Sequence, residues 1–291
     1  MKKTIPNQKI LQALRCPICK SKMQLQGDAE AKGSVTLFCQ GTRRHCYDLA
    51  SSGYVNLMPP GHANGGDSKQ AVRARTDFLN LELYRPAADA ICQALLRYCD
   101  PRNGLLIDAG CGEGYYTALL AQQGYPTAGV DLSRFAVDAA AKRMARCEIP
   151  HSFFGVASVF EMPFSDAGAS AIVNVFAPCA EEEFLRVLKD GGILTVVYAG
   201  PEHLMGLKNA LYEQTKENDG RADLPKTMTL LEEIRVRFDV TVQGSENLQN
   251  LFAMTPYYWK TSPSDGEKIT HINELSTPVD MIIAIYQKQT K

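Results

Sequence analysis

Residues 105–120, LLIDAGCGEGYYTALL, constrain the fold of this 291-residue chain more than any other stretch. A short apolar run ends in an acid, Asp108. Glycines follow at 110, 112 and 114, and an amphipathic segment starts directly behind them. That order predicts a strand, a tight turn and a helix. Glycine in such a turn lets backbone approach a ligand closely, so Gly110 and Gly112 are candidate binding positions. A glycine pattern alone is weak evidence, but this turn is led by Asp108 and contains Glu113. An acidic turn is a poor cradle for pyrophosphate. It suits a cofactor with a positive centre and an amino group, and S-adenosylmethionine (SAM) carries both a sulfonium and an α-ammonium. The next predicted strand, PTAGVDL, ends in Asp131 about 20 residues further on, where a carboxylate can accept both ribose hydroxyls.

The alternation of strand and helix continues. HSFFGVAS reads as a strand, EMPFSDAGA as a loop and SAIVNVFAPC as a strand. EEEFLRVLKDGG reads as a helix closed by glycine, and ILTVVYAG as a strand. FDVTVQG and MIIAIYQK supply two more. Seven strands with helices between them predict an α/β, doubly wound sheet. This alternation resembles the class I SAM-dependent methyltransferases, which often carry an acid near the adenine amino group after the third strand. Ala157-Ser158 stands there in this sequence, so the resemblance implies that Ser158 or a backbone group holds the ring.

In front of this body lies a different composition. CPIC places Cys16 and Cys19 two apart, and after 19 residues comes FCQGTRRHCYD with Cys39, His45 and Cys46. Zinc takes four N/S ligands in a tetrahedron, often delivered as two short knuckles. Cys16 and Cys19 form one, and Cys39 with His45 or Cys46 forms the other. A redox pair would need a preceding strand and a following helix, whereas the flanks here are a short amphipathic segment, KILQAL, and a polar loop. Residues 1–50 hold nine Lys/Arg against three acids, a net +6, while the whole chain carries −1, so the remainder carries −7. A basic head on an acidic body points to a polyanionic partner.

PPGHANGGD, residues 59–67, reads as a linker. Residues 68–80 have helical spacing, with Ala71, Ala74, Phe78 and Leu79 on one face and Arg73 and Arg75 read as a solvated face. The expected division is 1–58 for the zinc-binding, RNA-recognition module, 59–82 for linker and helix, and 83–291 for the body. No apolar run approaches the ~18 residues that span a bilayer, so no membrane partner is expected. MKKTIPNQKI has no apolar core behind its lysines, and nine cysteines in a chain of this size fit reduced thiols. The expected location is cytoplasmic.

DAGCGEGYYT, GVDLS, EMPF and RVLKDGGILTVV resemble successive motifs of the class I SAM-dependent methyltransferases over roughly residues 83–290. With the CPxC head, GYVNL, the GD…AR…FL segment, APC, GPEHLMGLK and MTPYYW, nearly the whole chain resembles the RlmA-type 23S rRNA guanine-N1 methyltransferases. The resemblance implies methylation of N1 of a guanine in a 23S rRNA hairpin loop, at a position of the 745 or 748 type, by a homodimer. It implies structural Zn2+ on Cys16, Cys19, Cys39 and His45, although the Cys39–His45 spacing exceeds the family's usual one and keeps Cys46 as an alternative. It places Tyr84, Gly112, Glu113 and His203 at the cofactor. Asp108, Gly110 and Asp131 are added from the chemistry of the turn.

Guanine N1 carries a proton at neutral pH, so a base or a stabiliser of the N1/O6 anion is expected near the sulfonium. No residue is singled out as that base. Asn174 and the backbone around Ala177 and Pro178 are candidates to hold the base ring, with Tyr115, Tyr116, Phe176 and Trp259 as stacking platforms. Cys179 reads as an inert thiol, since N1 methylation needs no covalent intermediate. The rival readings are a small-molecule methyltransferase acting on a quinone-like substrate and a non-catalytic RNA- or SAM-binding protein.

Overall fold

The computed structural model describes residues 4–27, 35–59, 65–149, 152–219 and 224–290. Residues 60–64 of the expected linker, His151 of the expected third strand, and Lys2, Lys3, Asp28, Glu30 and Lys32 lie outside them. The head opens with α1 (Gln8–Ala13), capped by the Asn7 side chain, which accepts from the Ile10 N–H. Three short antiparallel strands follow, β1 (Met23–Gln26), β2 (Thr36–Cys39) and β3 (Cys46–Asp48). Next come β4 (Val55–Asn56), α2 (Lys69–Leu79) and α3 (Arg85–Tyr98). The alternation then runs β5 (Leu106–Ala109), α4 (Tyr115–Gln122), β6 (Thr127–Asp131), α5 (Arg134–Arg146), β7 (Phe153–Val156) and β8 (Ala169–Val175). After it come α6 (Glu181–Val187), β9 (Leu188–Ala199), α7 (Met205–Leu211) and β10 (Thr229–Gln243). Last come α8 (Ser245–Ala253), α9 (Pro263–Glu267) and β11 (Glu274–Gln287).

The large sheet has the order β10-β11-β9-β8-β5-β6-β7-β4. β5, β7 and β8 are buried at every position, which is why they read as continuous apolar runs rather than alternating ones. β5 lies between β6 and β8, all parallel, and the chain leaves it first to one side and then to the other. The crevice beyond the carboxyl ends of β5 and β8 is therefore the switch point where open α/β sheets bind ligands.

Two expectations need adjustment. The sheet has eight strands, not seven, because Val55 and Asn56 pair in parallel with Gly155 and Val156 at its edge. The helix expected over 181–192 ends at Val187. Leu188 is extended and pairs with Ala169, and an irregularity takes up the intervening residues before Ile193 pairs with Ala171. Burial of Leu188 and its ladder pairing override the helical spacing there.

Head and body share apolar core. One cluster runs from Ile10, Leu14, Val35 and Leu37 of the head through Phe153, Phe164 and Phe184 of the body. The seam is closed by backbone: Arg15 N–H donates to Pro163 O at 2.8 Å, and Ser165 N–H donates to Ala13 O at 2.8 Å. Arg186 braces the receiving loop by donating to the carbonyls of Phe164 and Met162 while pairing with Glu183 and Asp166.

Gly114 initiates α4 at φ 81°, and a Cβ there would stand 2.8 Å from the Ala140 Cβ on α5. Both the left-handed backbone and the close helix approach demand glycine. Gly114→Ala is expected to destabilise the protein by roughly 2–4 kcal/mol in denaturant unfolding. A loss below about 1 kcal/mol would mean that the turn is not rigidly fixed.

Candidate cofactor cleft and metal centre

A cleft of about 840 Å³ opens at the switch point. Its floor is the glycine turn. Gly110, Gly112 and Gly114 have φ of 84°, 52° and 81°, and the Gly110 and Cys111 N–H groups both donate to Val130 O. A Cβ on Gly110 would lie 2.5 Å from the Ala177 Cβ, so the turn is wedged against the loop after β8. Asp131, at the end of β6, accepts the Gly112 N–H at 3.1 Å on one carboxylate oxygen and the Ser133 N–H at 2.8 Å on the other. Each oxygen keeps a lone pair for a further donor such as a ribose hydroxyl.

The structure brings Tyr84, Gly110, Gly112, Glu113, Asp131 and His203 to one cleft, but it employs their side chains unequally. The Glu113 carboxylate turns to Arg143 of α5 at 2.5 Å, leaving mainly its backbone at the turn. Asp108 lies beneath the wall rather than on it, and its carboxyl accepts the Thr117 hydroxyl at 2.5 Å. Burial raises the Asp108 pKa to about 7 against the pull of that hydrogen bond. Both acids expected to greet a cation are thus engaged inside the protein.

Tyr84 and His203 form the opposite wall. The Tyr84 hydroxyl is buried with no partner among the described residues, an orphaned polar atom in a ligand-sized cleft. The His203 Nδ1 accepts the Asp280 N–H at 3.2 Å, and burial depresses its pKa to about 4. At neutral pH the ring is therefore uncharged with its proton on Nε2, a donor and not a base. Its ring stacks on Phe176, with centroids 5.3 Å apart. Phe176 and Leu204 both hold non-glycine backbone at positive φ, 51° and 56°, and both line the cleft. Local strain of this kind persists where the surroundings over-determine it, often at functional sites.

The aromatic candidates separate. Tyr115 is buried against α3, while Tyr116 lines the cleft. Phe176 and Trp259 line its mouth, Trp259 at 69% exposure. Asn174 is fully buried and donates to Ala109 O and Pro178 O, shaping the loop that presents Ala177 and Pro178 to the cleft. Cys179 is partly buried and packs against the apolar core. Ser158 Oγ accepts the Phe160 N–H. The wall beside it is Val159 and the exposed Phe160 ring, an apolar surface suited to a flat heterocycle. Sequence reasoning assigned no role to Phe160, Asp67 and Tyr257 and read Arg75 as solvated, yet all four line the cleft. Only the fold brings their distant segments together.

The head gathers Cys16, Cys19, Cys39 and His45, with all four ligand atoms within 4.8 Å of one another. The Cys16 and Cys39 sulfurs each lie 3.5 Å from His45 Nδ1, and the Cys19 and Cys39 sulfurs are 3.6 Å apart. A zinc tetrahedron with ~2.3 Å Zn–S and ~2.0–2.1 Å Zn–N bonds has edges of about 3.8 Å and about 3.5 Å, so the donor set fits. Cys46 is exposed on β3 and stands outside the cluster. Within β3 it is Tyr47 that faces the cluster, its hydroxyl 3.3 Å from the Cys16 sulfur, so the neighbouring Cys46 points to the other side of the strand.

Fold, cleft and donor set define a class I SAM-dependent methyltransferase with an N-terminal zinc ribbon. The family description "Methyltransferase domain" matches residues 106–192, and "RlmA, N-terminal", a zinc ribbon, matches residues 14–64. A putative 23S rRNA (guanine-N(1)-)-methyltransferase of Micromonospora griseorubida is 30% identical across 95% of this chain and 96% of its own. A 23S rRNA (guanine(748)-N(1))-methyltransferase of Streptomyces fradiae is 28% identical across 88% and 89%. A putative relative of Bacillus subtilis, YxjB, is 27% identical across 94% and 96%. The chain belongs to the 23S rRNA (guanine-N(1)-)-methyltransferase family.

The raised Asp108 pKa has a definite sign. The folded state holds this proton more tightly than the unfolded state, so the carboxyl's favourable contribution is complete below about 3.8 and lost as pH rises to about 7. Relative to Asp108→Asn, the parent protein is expected to lose a few kcal/mol across that window, at about 1.4 kcal/mol per pH unit. Parallel stability curves for the two proteins would show that Asp108 does not titrate as described.

Proposed function

We propose that the protein transfers a methyl group from SAM to N1 of a guanine in a 23S rRNA hairpin loop, at a position of the 745 or 748 type. The observation that carries this reading is where the head docks. Lys20, next to the knuckle residue Cys19, pairs with Glu161 at 2.6 Å. Glu161 adjoins Phe160 on the cleft wall. RNA held by the head would therefore lie beside the cleft mouth. Lys22, Arg43 and Arg44 are exposed on the head, as phosphate contacts require. The Streptomyces fradiae relative is named as a 23S rRNA methyltransferase, which supports the substrate class.

In this reading the head is the RNA-recognition module, with zinc on Cys16, Cys19, Cys39 and His45 fixing its shape. The proposed division keeps 1–58 as head, 59–82 as connector and 83–291 as catalytic body, although Val55 and Asn56 lend a strand to the body's sheet. SAM supplies an electrophilic methyl group on its sulfonium. Asp131 would hold the ribose, and the Gly110–Gly112 backbone would hold the methionyl arm. Tyr84 and His203 would donate from the far wall. Phe176 and Trp259 would stack an unstacked guanine at the mouth.

Transfer would form the N1–CH3 bond at the expense of the S–CH3 bond and release the N1 proton to water at the open mouth of the cleft. His203 cannot receive that proton, because its only lone pair is committed to Asp280. Alignment of N1 with the methyl group is then the main contribution of the walls. We also propose a homodimer, supported by the long β10 edge of the sheet with Leu230 and Leu231 exposed. Cytoplasmic residence follows from an rRNA substrate.

The test is methyl transfer from labelled SAM to 23S rRNA isolated from a strain lacking this gene, followed by nucleoside mass spectrometry and primer extension. N1-methylguanine in that hairpin is the expected product. Incorporation elsewhere, or none with SAM binding intact, would contradict the proposal and favour a small-molecule substrate or a binding role.

A further inference from the structure

The two arginines of α2 were expected to share a solvated face, and the structure separates them. Arg73 is 83% exposed and pairs loosely with Asp77 at 3.5 Å. Arg75 turns inward to the cleft, where its side chain is 28% exposed and pairs with Asp67 at 2.5 Å. Its Nη1 lies 3.8 Å from where a Cβ on Gly112 would stand, so the guanidinium hangs over the glycine turn. Asp67 is held at the other end of the same strap. Its carbonyl accepts the Ser133 hydroxyl at 2.6 Å, just beyond Asp131.

The chemistry of SAM leaves one demand unmet by the groups already assigned. Its methionyl arm ends in a carboxylate as well as an ammonium, and the surrounding wall is acidic. Among the described residues lining the cleft, the cationic side chains are Arg75 and Lys260. Lys260 is exposed on the cleft lining beside Trp259, and none of its atoms lies within 4 Å of a Cβ at Gly110 or Gly112. Arg75 sits over the turn itself, and its charge acts on both Glu113 and Asp131. A guanidinium matches a carboxylate with two parallel N–H donors.

We propose that Arg75 is the positioning group for the α-carboxylate of SAM, exchanging Asp67 for the cofactor when the cleft fills. The Arg75–Asp67 pair is about one-third exposed, and the guanidinium would trade one carboxylate partner for another without losing its charge pairing. Asp67 acts as a placeholder that keeps the guanidinium over the turn. The segment 65–79 then becomes a strap across the cofactor, with Gly66 packed on Ser133 and Phe78 and Leu79 buried in the body. This inference rests on the assignment of the cleft to SAM.

The experiment compares the affinity of the full-length protein for SAM and for decarboxylated SAM by calorimetry. The parent protein is expected to prefer SAM by roughly ten- to hundredfold, the range for a charge-assisted hydrogen-bonded pair. Arg75→Gln should lose that preference by weakening SAM while leaving the decarboxylated ligand unchanged. Arg75→Lys should restore part of it, and Asp67→Asn should keep it. Equal loss for both ligands in Arg75→Gln would assign Arg75 a structural role and overturn the proposal, as would no change for either. A parent protein that binds SAM without preference also overturns it. One that binds neither ligand overturns the cofactor assignment beneath it.

Discussion

The organisation of the site depends on one wedge of backbone. The glycine turn is pressed between the end of β6, where Val130 O receives two of its N–H groups, and the loop after β8, where Ala177 occupies the space of any side chain at Gly110. Close packing leaves no slack for a larger residue. The same wedge sets Asp131 against the Gly112 N–H and starts α4 at Gly114, on top of α5. Floor, Asp131 and first helix are therefore placed together, and the remaining walls are built around them.

What the sequence reveals and what it hides follow from this. The strand–turn–helix was legible because it is local: apolar run, glycines and amphipathic segment adjoin in the chain. The metal donors were legible because zinc imposes short spacings. Choosing His45 over Cys46 took a family resemblance, and the structure shows why: Tyr47 turns toward the cluster and Cys46, beside it on β3, turns away to solvent. The charge of the turn was misleading when read as composition. Asp108 and Glu113 face Thr117 and Arg143, partners that a one-dimensional pattern does not identify. Arg75 carries the reverse lesson, since helical spacing alone cannot tell a solvated arginine from one aimed into a cleft. The eighth strand is two residues long and pairs with a segment about 100 residues away, so no local signal announces it.

The zinc ribbon is not a tethered accessory. Its small size leaves little core of its own, and it borrows the body's by sinking Leu14 beside Phe164 and joining one apolar cluster. The zinc ligands Cys16 and Cys19 adjoin that seam, with Arg15 bonded to Pro163 and Lys20 paired with Glu161. The metal therefore ties the seam to the rest of the ribbon, while apolar burial and the 163–165 backbone secure the seam itself. In the proposed reading, a basic platform held this firmly would fix the register of a bound RNA relative to the cleft. A flexible tether would only raise the local concentration of RNA. Phosphate contacts on the head would set position while the cleft walls choose the base.

This division of labour between head and cleft is the central claim, and steady-state methyl transfer tests it most directly. Lys22, Arg43 and Arg44 would be replaced together by serine, and the KM for 23S rRNA, kcat and SAM affinity measured over a range of salt. The account predicts a KM for RNA raised tenfold or more and a shallower salt dependence, with kcat and SAM affinity held within a few fold. An unchanged KM, or a collapse of kcat at saturating RNA, would contradict it.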